Sequence, residues 1–264
     1  MSHPRFLSVL LLLVLPLGVA SAEENVKHLD EFFRGKITKL KRGVVTLHYD
    51  FSDEKQGEDW YESLPFPIKR LDDQGMAVEN GKLEIHGNTG ASHVALFKGG
   101  IEVKSRVKLG AKEDIGGMIT PQSDSHDFAT FTIVERYFHR WDNQRGPGQH
   151  TVMKYGDQWR EKGFGDSFVG FRYVARQPPK EPVIEGRTVD LAYGLKRGKL
   201  WMEIEGQKLS GKDMGVKLKV MRAGFYTVKG KIRVDDVTIE GKLDPAWLAD
   251  IGVSPTLSAP IEDD

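Results

Sequence analysis

Thr188-Val-Asp-Leu-Ala-Tyr-Gly-Leu-Lys196, Arg197-Gly198, Lys199-Leu-Trp-Met-Glu-Ile-Glu205 reads as two strands around a two-residue turn. Short runs rich in β-branched, aromatic and aliphatic residues, separated by a Gly-bearing break, are the signature of a β-hairpin. The same texture spreads in both directions. Residues 217–228 and 231–240 carry it towards the C-terminus. Towards the N-terminus, residues 35–41 and 44–50 flank Arg42-Gly43, and residues 82–87 follow Asn80-Gly81. Residues 92–97 and 101–109 read as a pair around Gly99-Gly100, and residues 117–120, 128–137 and 149–155 as further strands. Arg is not a preferred residue where a tight hairpin demands positive φ, so the Arg-Gly turns are weaker signals than Asn-Gly. In all this gives about ten to thirteen short strands and no long helix, which predicts an all-β sandwich or barrel.

The ends read differently. Arg5 precedes an apolar run from Phe6 to about Ala20, and Ala20-Ser21-Ala22 supplies small residues before Glu23. A basic start, an apolar core and small residues at a cleavage point describe a secretory signal peptide over residues 1–22. The rival is a membrane anchor, but spanning needs roughly 20 apolar residues, and Pro16 and Gly18 loosen the end of this run. Residues 23–42 are expected as a helix and hairpin extension, with Val26, Leu29, Phe32 and Phe33 at near-helical spacing. Residues 43–242 are the expected sandwich, and residues 243–264 a disordered tail. The polar, Pro- or Gly-bearing stretches 53–74 and 156–186 read as long loops, where binding tends to lie.

Composition narrows the function. The chain has 38 basic and 38 acidic residues and no cysteine. Removal of residues 1–22 takes away Arg5 and no acid, leaving 37 against 38, or −1. Such a balance gives no nucleic-acid footprint, and without cysteine there are no disulfides, lipoprotein anchor or thiolate metal sites. The His residues show no metal-binding spacing, and no Gly-x-Ser-x-Gly elbow occurs. Gly206 to Lys212 follows Gly-x-x-x-x-Gly-Lys, but Asp213 stands where a phosphate loop needs Ser or Thr.

Several stretches, in order, resemble the concanavalin A-like lectin/glucanase superfamily. They are Tyr49-Asp-Phe-Ser-Asp53 with Asp59-Trp60, Gly81-Lys-Leu-Glu-Ile85, and Arg106-Val-Lys108. Later come Lys199-Leu-Trp-Met-Glu-Ile-Glu-Gly206, Gly224-Phe-Tyr226 and Ile232-Arg-Val-Asp-Asp-Val-Thr-Ile-Glu240. Within it the likeness is greatest to bacterial 3-keto-disaccharide hydrolase-like and laminin-G-like domains. The resemblance implies a two-sheet antiparallel jelly roll with a concave face that takes carbohydrate in many relatives. It also implies a structural calcium near the first and last strands, where Asp50, Asp53, Asp235 and Asp236 fall; Asp50 and Asp236 are the expected ligands.

Laminarinase-like relatives cut glycans with Glu-x-Asp-x-x-Glu on one strand. This chain lacks that motif: the only Glu with Asp two residues on is Glu262 with Asp264. Glu135 and Asp142 remain as a candidate carboxyl pair; salt bridges to Arg136, Arg140 or Arg160 would explain them equally. The segment Glu135-Arg-Tyr-Phe-His-Arg-Trp141 is the richest in recognition residues. Arg136, His139, Arg140, Trp141, His150 and Trp159 are the expected ligand-binding set, unless the aromatics fill the core and the Arg residues are simply solvated. Three functions follow: a non-catalytic carbohydrate-binding domain of the periplasm or extracellular space, a glycoside hydrolase or lyase, or a protein-interaction domain without a small ligand. The first is the expectation. Intact-mass measurement of the exported protein should find a chain starting at Glu23; a product retaining residues 1–22 would overturn the signal-peptide reading.

Overall fold

The computed structural model describes residues 22–63, 75–109, 115–121, 128–136, 149–156, 172–178, 185–211 and 218–253. Helix α1 is Ala22–Phe32. The strands follow in chain order. They begin with β1 (Lys36–Lys41), β2 (Val44–Tyr49), β3 (Trp60–Ser63), β4 (Gly75–Glu79) and β5 (Lys82–His93). Next come β6 (Phe97–Leu109), β7 (Ile115–Pro121), β8 (Phe128–Arg136), β9 (Gln149–Gly156) and β10 (Arg172–Gln177). The last are β11 (Thr188–Lys196), β12 (Lys199–Ile204), β13 (Gln207–Ser210) and β14 (Val220–Leu243), before helix α2 (Pro245–Asp250). The expected signal peptide lies outside the described residues, apart from Ala22 in α1.

Every described strand pairing is antiparallel, and the fold is an all-β sandwich. The first half of β14 pairs with β7 on one side and with the end of β5 on the other. Outward from β7 lie β8, β9 and β10, and outward from β5 lies β3. This is the first layer. The second half of β14 pairs with β6 on one side and β2 on the other. Outward from β6 lie β11, β12 and β13, and outward from β2 lies β1. This is the second layer. β14 therefore crosses from one layer to the other, with its register shift between Thr227 and Gly230.

Tyr193 of β11 shows how the layers meet. Its hydroxyl donates to the Gly224 carbonyl across the core, and its ring meets Phe225 edge-on at 6.0 Å. The ring occupies the space that a Cβ on Gly117 would need, so β7 must carry glycine there. Burial accounts for the period-2 pattern: β6 turns Ile101, Val103, Val107 and Leu109 inward, and Lys104 and Arg106 outward. Each large aliphatic side chain so buried is worth about 1.5–3 kcal/mol.

Among the described residues four tight turns share one backbone geometry, one of them Glu205-Gly206 between β12 and β13. Arg197 (φ 52°) and Gly198 (φ 75°) join β11 to β12, and Lys196 sits opposite Lys199. Arg42-Gly43 and Asn80-Gly81 repeat the arrangement. The strand twist imposes positive φ at both turn residues, and the first position accepts Arg despite its Cβ. Two breaks expected from glycine are not turns. Gly99-Gly100 lies within β6, and residues 217–228 and 231–240 are parts of one strand from Val220 onward.

A buried polar chain ties the N-terminus to the sandwich. The Ala95 N–H donates to His93 Nδ1 at 3.1 Å, so the ring proton sits on Nε2, 2.6 Å from Tyr49 Oη. The Tyr49 hydroxyl then donates to Asp59 Oδ2 at 2.8 Å. The same oxygen accepts the Arg34 and Gly35 N–H groups at 2.8 and 3.0 Å, fixing the chain as it leaves α1. Phe33 stacks against His93 and against Trp247 of α2, and His28 Nε2 lies 3.0 Å from the Ile251 carbonyl oxygen. Of the expected tail, residues 244–253 pack against the sandwich, and residues 254–264 lie outside the described residues. Asp244 caps α2, and Trp247, Leu248 and Val253 are buried, because this segment closes over the Phe32–Phe33 aromatic corner.

Burial holds the His93 pKa down at about 3, against about 6.5 in an unfolded chain. Between those values the unfolded chain binds a proton that the native ring refuses. Stability should therefore fall as pH drops below about 6.5, by up to about 1.4 kcal/mol per unit. Burial raises the Asp59 pKa, which acts in the opposite sense at the acid end. Melting curves from pH 8 to pH 5 should show a decline that His93→Gln flattens; parallel curves would contradict the neutral buried ring.

Candidate functional site

The outward face of the first layer is built around small residues. Tyr61, Ser92, Gly224 and Met118 form one cross-strand row, and Ser63, Gly90, Tyr226 and Gly116 the next. Close packing explains the glycines: a Cβ on Gly90 would come within 2.6 Å of Met118 Cε, and one on Gly224 within 2.7 Å of that atom and of the Ala91 oxygen. Met118 and Tyr226 are buried, while Tyr61 is 42% exposed. Consecutive residues of a strand face opposite ways, so Trp60 fills the core and Tyr61 stands out from it.

Arg222 lies in the neighbouring row, opposite Thr120 of β7. Its guanidinium carbon stands 5.6 Å from the centre of the Tyr61 ring. Nη1 donates to the Val94 carbonyl and, at 3.4 Å, to the His93 carbonyl. Among the described residues this half-buried cation has no carboxylate partner. The Thr120 hydroxyl oxygen is buried without a hydrogen-bond partner. Ser92 Oγ donates to Ser63 Oγ at 2.9 Å beside the tyrosine. An exposed ring, a guanidinium and hydroxyls thus share one face.

The expected site residues divide into two groups. The register sets Glu135 of β8 opposite His150 of β9, and Arg136 opposite Gln149, in the same layer. His139, Arg140, Trp141, Asp142 and Trp159 lie outside the described residues. Tyr61 and Arg222 are not among the residues that the sequence singles out. Their signal is slight: Trp60-Tyr61 is a pair of consecutive aromatics on one strand, of which alternation can bury only one.

The outward face of the second layer carries an open dish of about 470 Å³. Lys104, Arg106, Asp190, Ala192, Glu203 and Thr238 are among its lining residues. Its cations are already neutralised. Lys104 pairs with Glu102 at 2.7 Å, which raises the Lys104 pKa, and Arg106 pairs with Asp235 and Asp236 at 3.2 and 3.3 Å. Glu203 is held by Lys208 at 3.3 Å. Cross-strand pairs of opposite charge are the usual furniture of a solvated sheet face.

Asp50 Oδ1 accepts the Ser52 N–H, the Ser52 hydroxyl and the Gln56 amide. These bonds, the backbone one foremost, hold its pKa at about 2. Asp236 lies 3.0 Å from His48 Nε2 and also faces Arg106. Among the described residues, no group of three or more His, Asp or Glu is placed to hold a metal ion.

No family model and no curated protein matches the chain. Similar solved structures include the carbohydrate-binding module CBM66 from Bacillus subtilis, at 8% identity and a TM-score of 0.46, covering 69% of this chain and 96% of that one. LamA from Z. galactanivorans in complex with laminaritriose and laminaritetraose is 11% identical at a TM-score of 0.48, over 78% of this chain and 100% of that one. A B. subtilis protein of unknown function with a galectin-like fold is 10% identical at 0.44, over 74% and 94%. All three scores lie below 0.5.

Proposed function

We propose that this chain is an exported, non-catalytic carbohydrate-binding domain whose ligand face is the outward surface of the first layer. One observation carries the reading: the exposed Tyr61 ring stands with Arg222 against it and the Ser63–Ser92 pair alongside. A ring face packs against the C–H face of a sugar. A few fixed polar groups around an apolar surface then orient its hydroxyls, as in most small-ligand sites.

Binding is favoured over cutting. Glycoside hydrolysis uses two carboxyls roughly 5–10 Å apart, and the sequence lacks the laminarinase-type motif. Around Tyr61 the named polar groups are a half-buried guanidinium and the Ser63 and Ser92 hydroxyls, the latter buried, none of them a carboxyl acid or base. A protein-docking surface is less favoured. Among the described residues Tyr61 is the one large apolar side chain left exposed, and docking faces usually present contiguous patches of several hundred Å². Export rests on Arg5, the apolar run and Ala20-Ser21-Ala22.

The mature chain, screened against neutral, acidic and cell-wall glycans, should retain at least one class. Tyr61→Ala should weaken that binding about tenfold, with its melting temperature little changed. Silence across all three classes overturns the reading, and undiminished binding by Tyr61→Ala overturns the placement.

A further inference from the structure

We infer that the ligand of the Tyr61–Arg222 face carries an oxyanion, a carboxylate or sulfate group on the sugar. This deepens the carbohydrate reading and rests on it. Arg222 differs from several other cations of the sheet in how its charge is compensated. Arg106 and Lys104 on the second layer, and Arg233 and Lys231 beside Glu84, are each paired with a carboxylate. Among the described residues Arg222 is not, although it is half-buried and held against the sheet by two carbonyl groups. Those carbonyls engage Nη1 and leave the rest of the fork available. A guanidinium presents five N–H donors in a planar fork that matches an oxyanion in two-point fashion.

A second observation points the same way. Thr120 is directly opposite Arg222 on β7, so the two share a face, and its buried hydroxyl oxygen has no partner. A buried hydroxyl without a partner is costly. An oxyanion seated on Arg222 would accept that proton, leaving the Tyr61 ring for the sugar's apolar face. A neutral sugar would satisfy the hydroxyl and leave the cation without a counter-charge. The geometry therefore selects the acidic ligand.

The test uses matched pairs on the intact mature protein. Polygalacturonate oligomers are compared with their carboxyl-reduced forms, and a sulfated galactan oligomer with its desulfated form. Calorimetry should show the acidic member of one pair bound about tenfold more tightly than its neutral partner; which pair responds tells carboxylate from sulfate. The gap should narrow as salt rises from about 0.05 to about 0.5 M. Arg222→Gln should close the gap, Arg222→Lys should keep part of it, and Arg106→Gln on the other layer should leave it intact. Melting temperatures verify that the variants are folded. Equal affinity within both pairs, or a gap that survives in Arg222→Gln, overturns the inference. If neutral members bind equally well and lose affinity in Tyr61→Ala, only the acidic assignment fails. If no member of either pair binds while the glycan screen finds a retained class, the acidic assignment alone falls; silence in both overturns the carbohydrate reading as well.

Discussion

Backbone hydrogen bonding along Val220–Leu243 is the constraint on which the rest of the molecule hangs. This strand is paired on both sides in the first layer and on both sides in the second. A buried N–H or C=O left unpaired costs about as much as a lost hydrogen bond, so four neighbours must hold their register against it at once. Its two ends also carry the chemistry. Arg222 stands on the outward face of one layer, and Asp235 and Asp236 on that of the other. The bend between them, at Thr227 to Gly230, sends one strand's side chains to two separate surfaces.

Those surfaces differ in how charge is compensated. The second layer is laced with ion pairs, such as Lys82 with Asp235 at 2.6 Å and Arg187 with Glu205 at 3.6 Å. Solvent-accessible pairs contribute little to stability, about 0–1 kcal/mol each, but pairs such as these leave little charge for a ligand. Among its described residues the first layer holds a cation without a counter-charge, a hydroxyl without a partner and an exposed aromatic ring. On the proposed reading, that imbalance separates a binding face from a solvated one.

Much of the fold is legible in the sequence because one side of each sheet is buried. The run from Thr188 to Glu205 alternates by that rule, and its turn falls where Arg197-Gly198 stands. Glycine misleads where it marks a bend or bulge and not a chain reversal, as at Gly99-Gly100 and Gly230. The segment after Leu243 reads as a loose tail because its burial depends on Phe32 and Phe33, more than 200 residues earlier. The candidate site is less legible for the same reason. Tyr61 and Arg222 meet only through the β3–β5–β14 pairing, and nothing local to either residue announces the other. Glu135 and His150 belong to one recognition-rich region of the sequence, and the strand register makes them backbone neighbours on β8 and β9.

Ligand chemistry is assigned to the outward face of the first layer. Backbone amide NMR of the mature chain during titration with a bound acidic oligosaccharide tests that assignment most directly. The account predicts shifts gathered at Tyr61, Ser63, Ser92, Thr120 and Arg222, with Lys104, Asp190 and Glu203 unmoved. Shifts gathered instead around Lys104, Asp190 and Glu203 would contradict it.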